Sequence, residues 1–157
     1  MSGMSQHILF VTGSDEDVNK FYIDNHIISN NNYRFTLANL IPVSTDNDKQ
    51  FCIDKWGVPQ DIGSSFSNLS ENNTKLTIVF VSNDTYNIGN WLREATKMYP
   101  TLSFAYKFYN IILGWGYEFC SKRGKVIRTR MMMSEGFRKI MQDVDNKPAG
   151  NSCIMSS

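Results

Sequence analysis

The side chains able to do chemistry in this 157-residue sequence are few and scattered. Its two histidines, His7 and His26, open an apolar strand pattern and close a helical one, and both read as packing or surface residues. Two histidines also exclude a multi-histidine metal centre. The three cysteines, Cys52, Cys120 and Cys153, include no CxxC spacing, so neither a disulfide framework nor a structural zinc site is expected. Cys52 and Cys120 lie in apolar patterns and read as small buried side chains. General acid–base work needs two carboxylates held at a fixed separation, and no spacing links Asp54, Asp61 and Glu118. Thr12-Gly13-Ser14 before a helix could seat one phosphate, but the acids Asp15, Glu16 and Asp17 that follow would repel it. No catalytic residue, metal or cofactor is assigned, and the chain is expected not to be an enzyme.

Two patterns suggest binding instead. Lys122, Arg123, Lys125, Arg128 and Arg130 put five cations into nine residues with no acid among them. Such a run can hold phosphates, or can be a solvated hairpin edge kept from aggregating by its charge. The second pattern is a pair of tryptophan–glycine nodes, Lys55-Trp56-Gly57 and Gly114-Trp115-Gly116-Tyr117. Large rings beside glycines mark tight turns or close approaches of chain segments. Trp56, Trp115 and Tyr117 offer either an aromatic surface for a base or partner, or core packing. Trp91 falls at helical spacing with Leu92 and Ala95 and reads as core.

The remaining bounds are loose. A net charge of +1 gives the whole chain no general affinity for nucleic acid or anionic membrane. No apolar run has the length of a membrane span, and the first residues lack a basic-then-apolar export pattern, so a cytosolic protein is expected.

The elements that must position these residues follow from periodicity. Ile8–Val11 reads as a strand, and Ser14 caps a helix running to about Ile28. Tyr33–Ser44 reads as extended or irregular, and Phe51 and Ile53 as a second strand ending at Trp56. Pro59–Thr74 reads as a polar loop. Leu76, Ile78 and Phe80 mark a strand, and Ile88, Trp91, Leu92, Ala95 and Met98 the stripe of a helix stopped by Pro100. Alternation then gives strands over 102–108, 115–119 and 126–130, with a break at Arg123-Gly124. A short helix near 135–142 and a polar tail complete the chain. This order predicts an α+β, ferredoxin-like split βαβ sandwich over residues 1–130. Its antiparallel sheet would carry two helices on one face and extra hairpin strands, with residues 131–157 forming a short helix and flexible tail.

Several segments also resemble the YubB-type, Api-like family of ferredoxin-like proteins from phages and plasmids. They are Leu9-Phe10-Val11-Thr12-Gly13, Phe35 with Leu40-Ile41-Pro42, Phe51 to Asp61 around Trp56-Gly57, Tyr99 to Phe104, and Gly114-Trp115-Gly116. Lys55, Val58, Gln60 and Asn110 depart from that family's pattern. The resemblance implies a ferredoxin-like fold and a mobile-element origin, and it supplies no chemistry. The expected role is a small phage-type accessory protein in the host cytoplasm that binds and inhibits or redirects a host protein. The alternative is a binder of nucleotide or single-stranded nucleic acid. For either reading the expected contact residues are Trp56, Trp115, Tyr117, Lys122, Arg123, Lys125, Arg128 and Arg130, with the 59–74 loop a further part of the host-protein surface.

Overall fold

The computed structural model describes residues 4–29, 32–44 and 48–133. Strand β1 (Ser5–Thr12) turns His7, Leu9 and Val11 to one side and Ile8 and Phe10 to the other, following the two-residue repeat of extended chain. Ser14 Oγ then accepts a hydrogen bond from the Asp17 N–H, capping α1 (Asp15–Asp24) with three acids in its first turn. The helix stops four residues short of the expected Ile28. Asn25 ends it, because both its backbone and side-chain N–H groups donate to Phe21 O while its own carbonyl accepts from the Thr36 N–H. His26–Ser29 is therefore strand β2, paired with β3 (Asn32–Phe35).

The expected strand at Phe51 and Ile53 is a helix, α2 (Lys49–Trp56). Asp48 caps it by accepting from the Phe51 N–H, and Cys52 and Trp56, four residues apart, are its buried face. Gly57 closes it in the left-handed region at φ 93°. The strand that this helix displaces lies within the expected loop, as β4 (Ser65–Leu69). Its serines face inward and work as hydrogen-bonding groups: Ser65 Oγ accepts from the Phe35 N–H, and Ser67 Oγ lies 2.7 Å from His26 Nε2. Polar residues in the inward positions erase the apolar alternation that marks an ordinary strand.

The later elements match the periodicity: β5 (Lys75–Ser82), α3 (Gly89–Met98), β6 (Ser103–Asn110), β7 (Trp115–Lys122) and β8 (Lys125–Met133). In α3 the buried stripe ends at Ala95, and Met98 is exposed. The Arg123-Gly124 break is a two-residue hairpin loop with φ of 51° and 76°, the double positive φ of a type I′ turn. Met131–Met133 belong to β8, and the expected C-terminal helix lies outside the described residues.

Among the described residues the main sheet has six strands in the order β4-β5-β1-β6-β7-β8, every neighbouring pair antiparallel. Hence β1 and β4 are parallel with β5 between them, and β5 and β6 are parallel with β1 between them. These are the two interlocked split βαβ units of a ferredoxin-like α+β fold. Two additions extend it: the β2-β3-α2 insertion before β4, and the β7-β8 hairpin beyond β6. One core joins the helix-facing side of the sheet to Val18 and Phe21 of α1, Trp56 of α2, and Trp91, Leu92 and Ala95 of α3. Among the described residues three helices therefore contribute, where two were expected. The indole N–H groups of Trp56 and Trp91 donate to Ile41 O and Leu37 O, so neither ring is buried with an unpaired donor.

Candidate functional site

Both tryptophan–glycine nodes bear on the start of α3. A Cβ on Gly57 would stand 2.2 Å from Asn87 O, so α2 presses its closing glycine onto the Asn87–Asn90 segment. From the sheet, Tyr117 reaches the same segment, with its hydroxyl 2.8 Å from where a Cβ on Gly89 would lie. Trp56 is buried at 3% exposure, and half-buried Trp115 packs against Phe108 with ring centroids 5.0 Å apart. Burial raises the pKa of the Tyr117 hydroxyl, and nearby Arg93 offsets part of that rise. Packing therefore accounts for the positions of all three aromatic residues.

The cations lie elsewhere. Arg128 and Arg130 register opposite Cys120 and Glu118, on the sheet face away from the helices, whereas Trp115 and Tyr117 pack with the helix-side core. Half-buried Lys122 and exposed Arg123 and Lys125 surround the β7-β8 turn, at the far end of β7 from Trp115. Seven residue steps of extended chain separate Trp115 from Lys122, roughly 23 Å. The eight residues proposed from sequence thus divide between two sheet faces and two sheet ends. Glu118, only 3% exposed, gathers two of the cations: its Oε1 is 2.6 Å from Arg128 Nη2 and its Oε2 is 3.4 Å from Arg130 Nη2.

A cavity of about 290 Å³ opens at the end of the sheet where β1 starts and β5 finishes, between β5 and the Val58–Ser64 segment. His7 lies in its wall, with Nδ1 2.7 Å from Tyr106 Oη and Nε2 2.9 Å from Ser82 Oγ. Hydrogen-bond direction decides what this chain of groups can do. The Ile88 N–H donates to Tyr106 Oη, and the Tyr106 hydroxyl then has His7 Nδ1 as its acceptor. His7 therefore carries its proton on Nε2 and donates it to Ser82 Oγ, and the Ser82 hydroxyl points on to Asp84 Oδ1 at 3.4 Å. In this tautomer His7 donates to Ser82 instead of accepting its proton, so this arrangement does not activate the Ser82 hydroxyl. Burial, which pushes the His7 pKa down to about 3, keeps the ring neutral. Asp61, across the cavity, accepts from the Thr36 hydroxyl and from the Leu37 and Ile62 N–H groups, which fixes it as a loop anchor. Among the described residues, no group of three or more His, Cys, Asp or Glu side chains is placed to hold a metal ion.

One surface feature escaped the sequence reading. The β6-β7 turn holds Ile111, Ile112 and Leu113 consecutively in solvent, at 51%, 63% and 51% exposure. Beneath them Asn110 is fully buried; its Oδ1 accepts from the Leu113 N–H, its Nδ2 donates to Ser5 Oγ, and its carbonyl accepts from the Gly114 N–H. Gly114 at φ 71° completes the turn. Met4, half-exposed, precedes the Ser5 that pairs with Asn110 and extends the apolar tip. The signal was the run Ile111-Ile112-Leu113 itself, which sits in a turn where polar residues are the norm.

No protein-family model and no curated protein matches the sequence. Among solved structures, the chain is similar to the protein api92 from Yersinia pseudotuberculosis, of family model DUF1281. The two share 10% identity at a TM-score of 0.49, with 62% of this chain covered. The likeness takes in 39% of that protein, so the chain spans well under half of its length.

Proposed function

We propose that this protein is a non-catalytic accessory module that grips a partner protein through the apolar tip of the β6-β7 hairpin. The observation that carries the reading is the run Ile111-Ile112-Leu113, held outward by a buried asparagine. Three adjacent apolar side chains in water are unfavourable by about 25 cal/mol for each Å² that a partner would cover, and the locked turn has little ordering entropy left to lose on binding. A protein cleft suits this tip better than an anionic bilayer. The cavity at the same end of the sheet has Asp61 and Asp84 in its wall, while the exposed cations of the β7-β8 turn lie at the opposite end. Among the described residues no helix is long and apolar enough to cross a membrane.

The resemblance to phage and plasmid proteins supports a finer reading, in which the partner is a host protein in the cytoplasm that is inhibited or redirected. A photo-crosslinking residue at Ile112 tests the proposal in cells producing the protein. A discrete adduct, absent when the same group replaces Asn72, is expected. Adducts of equal yield from both positions, or flotation of the protein with anionic vesicles, would contradict it. Nucleotide or single-strand binding is the weaker reading, because its aromatic and basic residues do not share a surface.

A further inference from the structure

The two edges of the six-stranded sheet are treated differently. The edge at β4 is covered by the β2-β3 hairpin, through Ser65 to Phe35, Ser67 to His26, and Arg34 Nη1 to Ile62 O at 2.6 Å. Among the described residues, β8 is paired only with β7, and every one of its residues from Lys125 to Met131 is exposed. Its backbone groups on the side away from β7 are a template for another strand.

The register indicates which strand. One cross-sheet row on the face away from the helices runs Phe66, Val79, Ile8, Lys107, Glu118, Arg130. Its charged half alternates in sign, plus, minus, plus, as directly opposed side chains should. The next position outward calls for a carboxylate. The neighbouring row ends Ala105, Cys120, Arg128, and its next position calls for another. Glu118 engages one nitrogen of each guanidinium, and each side chain remains more than 40% exposed with donors to spare. On the other face, the exposed Met131, Thr129 and Val126 would meet apolar or neutral side chains.

We propose that β8 is a strand-addition site for an extended acidic segment of a partner protein, with carboxylates at every second residue opposite Arg128 and Arg130. The proposed site rests on Arg128 and Arg130, in the middle of β8, and not on the apolar tip. The Ile127 bulge and the three cations of β8, Lys125, Arg128 and Arg130, also bar its pairing with a copy of itself, since like charges would then face each other. The same charges that exclude a second copy admit an acidic strand.

The test uses the full chain and three synthetic nine-residue peptides. One alternates aspartate with valine, one alternates serine with valine, and one is the aspartate peptide with every amide N-methylated. The aspartate peptide should bind at least tenfold more tightly than either control and should slow amide exchange across Lys125–Met131. Replacing Ile111, Ile112 and Leu113 by asparagine should leave that affinity unchanged. Binding of the serine or N-methylated peptide as tightly as the aspartate peptide would overturn the proposal. So would a single-stranded oligothymidylate that binds more tightly and displaces the aspartate peptide, because the surface would then be a phosphate site.

Discussion

His7 links burial to pH. Its folded pKa of about 3 lies below the ordinary 6.5, so the native ring stays neutral where an unfolded chain takes up a proton. The stability that follows is complete above about pH 6.5 and is lost as pH falls toward 3, by about 1.4 kcal/mol per unit. Between pH 7 and pH 5 the protein should lose about 2 kcal/mol through this residue, measured by urea unfolding at the two pH values. His26, also lowered mainly by burial, acts in the same direction. A His7→Gln variant should be less stable at pH 7 yet show a flatter pH dependence, and an unchanged slope would refute the assignment. Little of this was legible in the sequence. His7 reads from sequence as a packing or surface residue, and burial makes it the former, but its bonds to Tyr106 and Ser82 join residues 99 and 75 positions away.

At the scale of elements, the two tryptophan–glycine nodes separate by the space around their glycines. Gly57 combines φ 93° with a carbonyl 2.2 Å from any added Cβ, so Gly57→Ala should cost about 3 kcal/mol or more. Gly114 has φ 71° but nothing within 4 Å, so Gly114→Ala should cost only about 1 kcal/mol. Thermal unfolding of the two variants checks the contrast, and equal losses would show that α2 is not pressed onto α3. The same region shows why one helix was missed. Phe51-Cys52-Ile53 is too short for period to decide between strand and helix, and the deciding features were Asp48 as cap and Gly57 as terminator. β4 escaped because its inward residues are serines that bond sideways to the β2-β3 insertion. The strands of the second half were legible because their alternation follows burial on a single core.

Across the whole molecule, the split βαβ order was inferred correctly although its second strand was placed about a dozen residues too early. Any strand between α1 and β5 satisfies the same connectivity, so the topology tolerated the error. The surface was less legible, because strand periodicity assigns a face only when its starting register is known. The basic run and the aromatic nodes were grouped by residue type, and the register then divided them between opposite sides of the sheet. The proposed gripping role rests on the exposed tip, which belongs to neither of those groups. The most direct measurement is quantitative affinity capture from cells producing the protein, comparing the wild type with a variant carrying Ile111→Asn, Ile112→Asn and Leu113→Asn. The two proteins must first be shown to unfold at matching temperatures. One partner retained by the wild type and depleted at least tenfold with the variant is the predicted result. Equal recovery with both proteins, or loss on changing Arg123 and Lys125 to glutamate instead, would contradict binding through the tip.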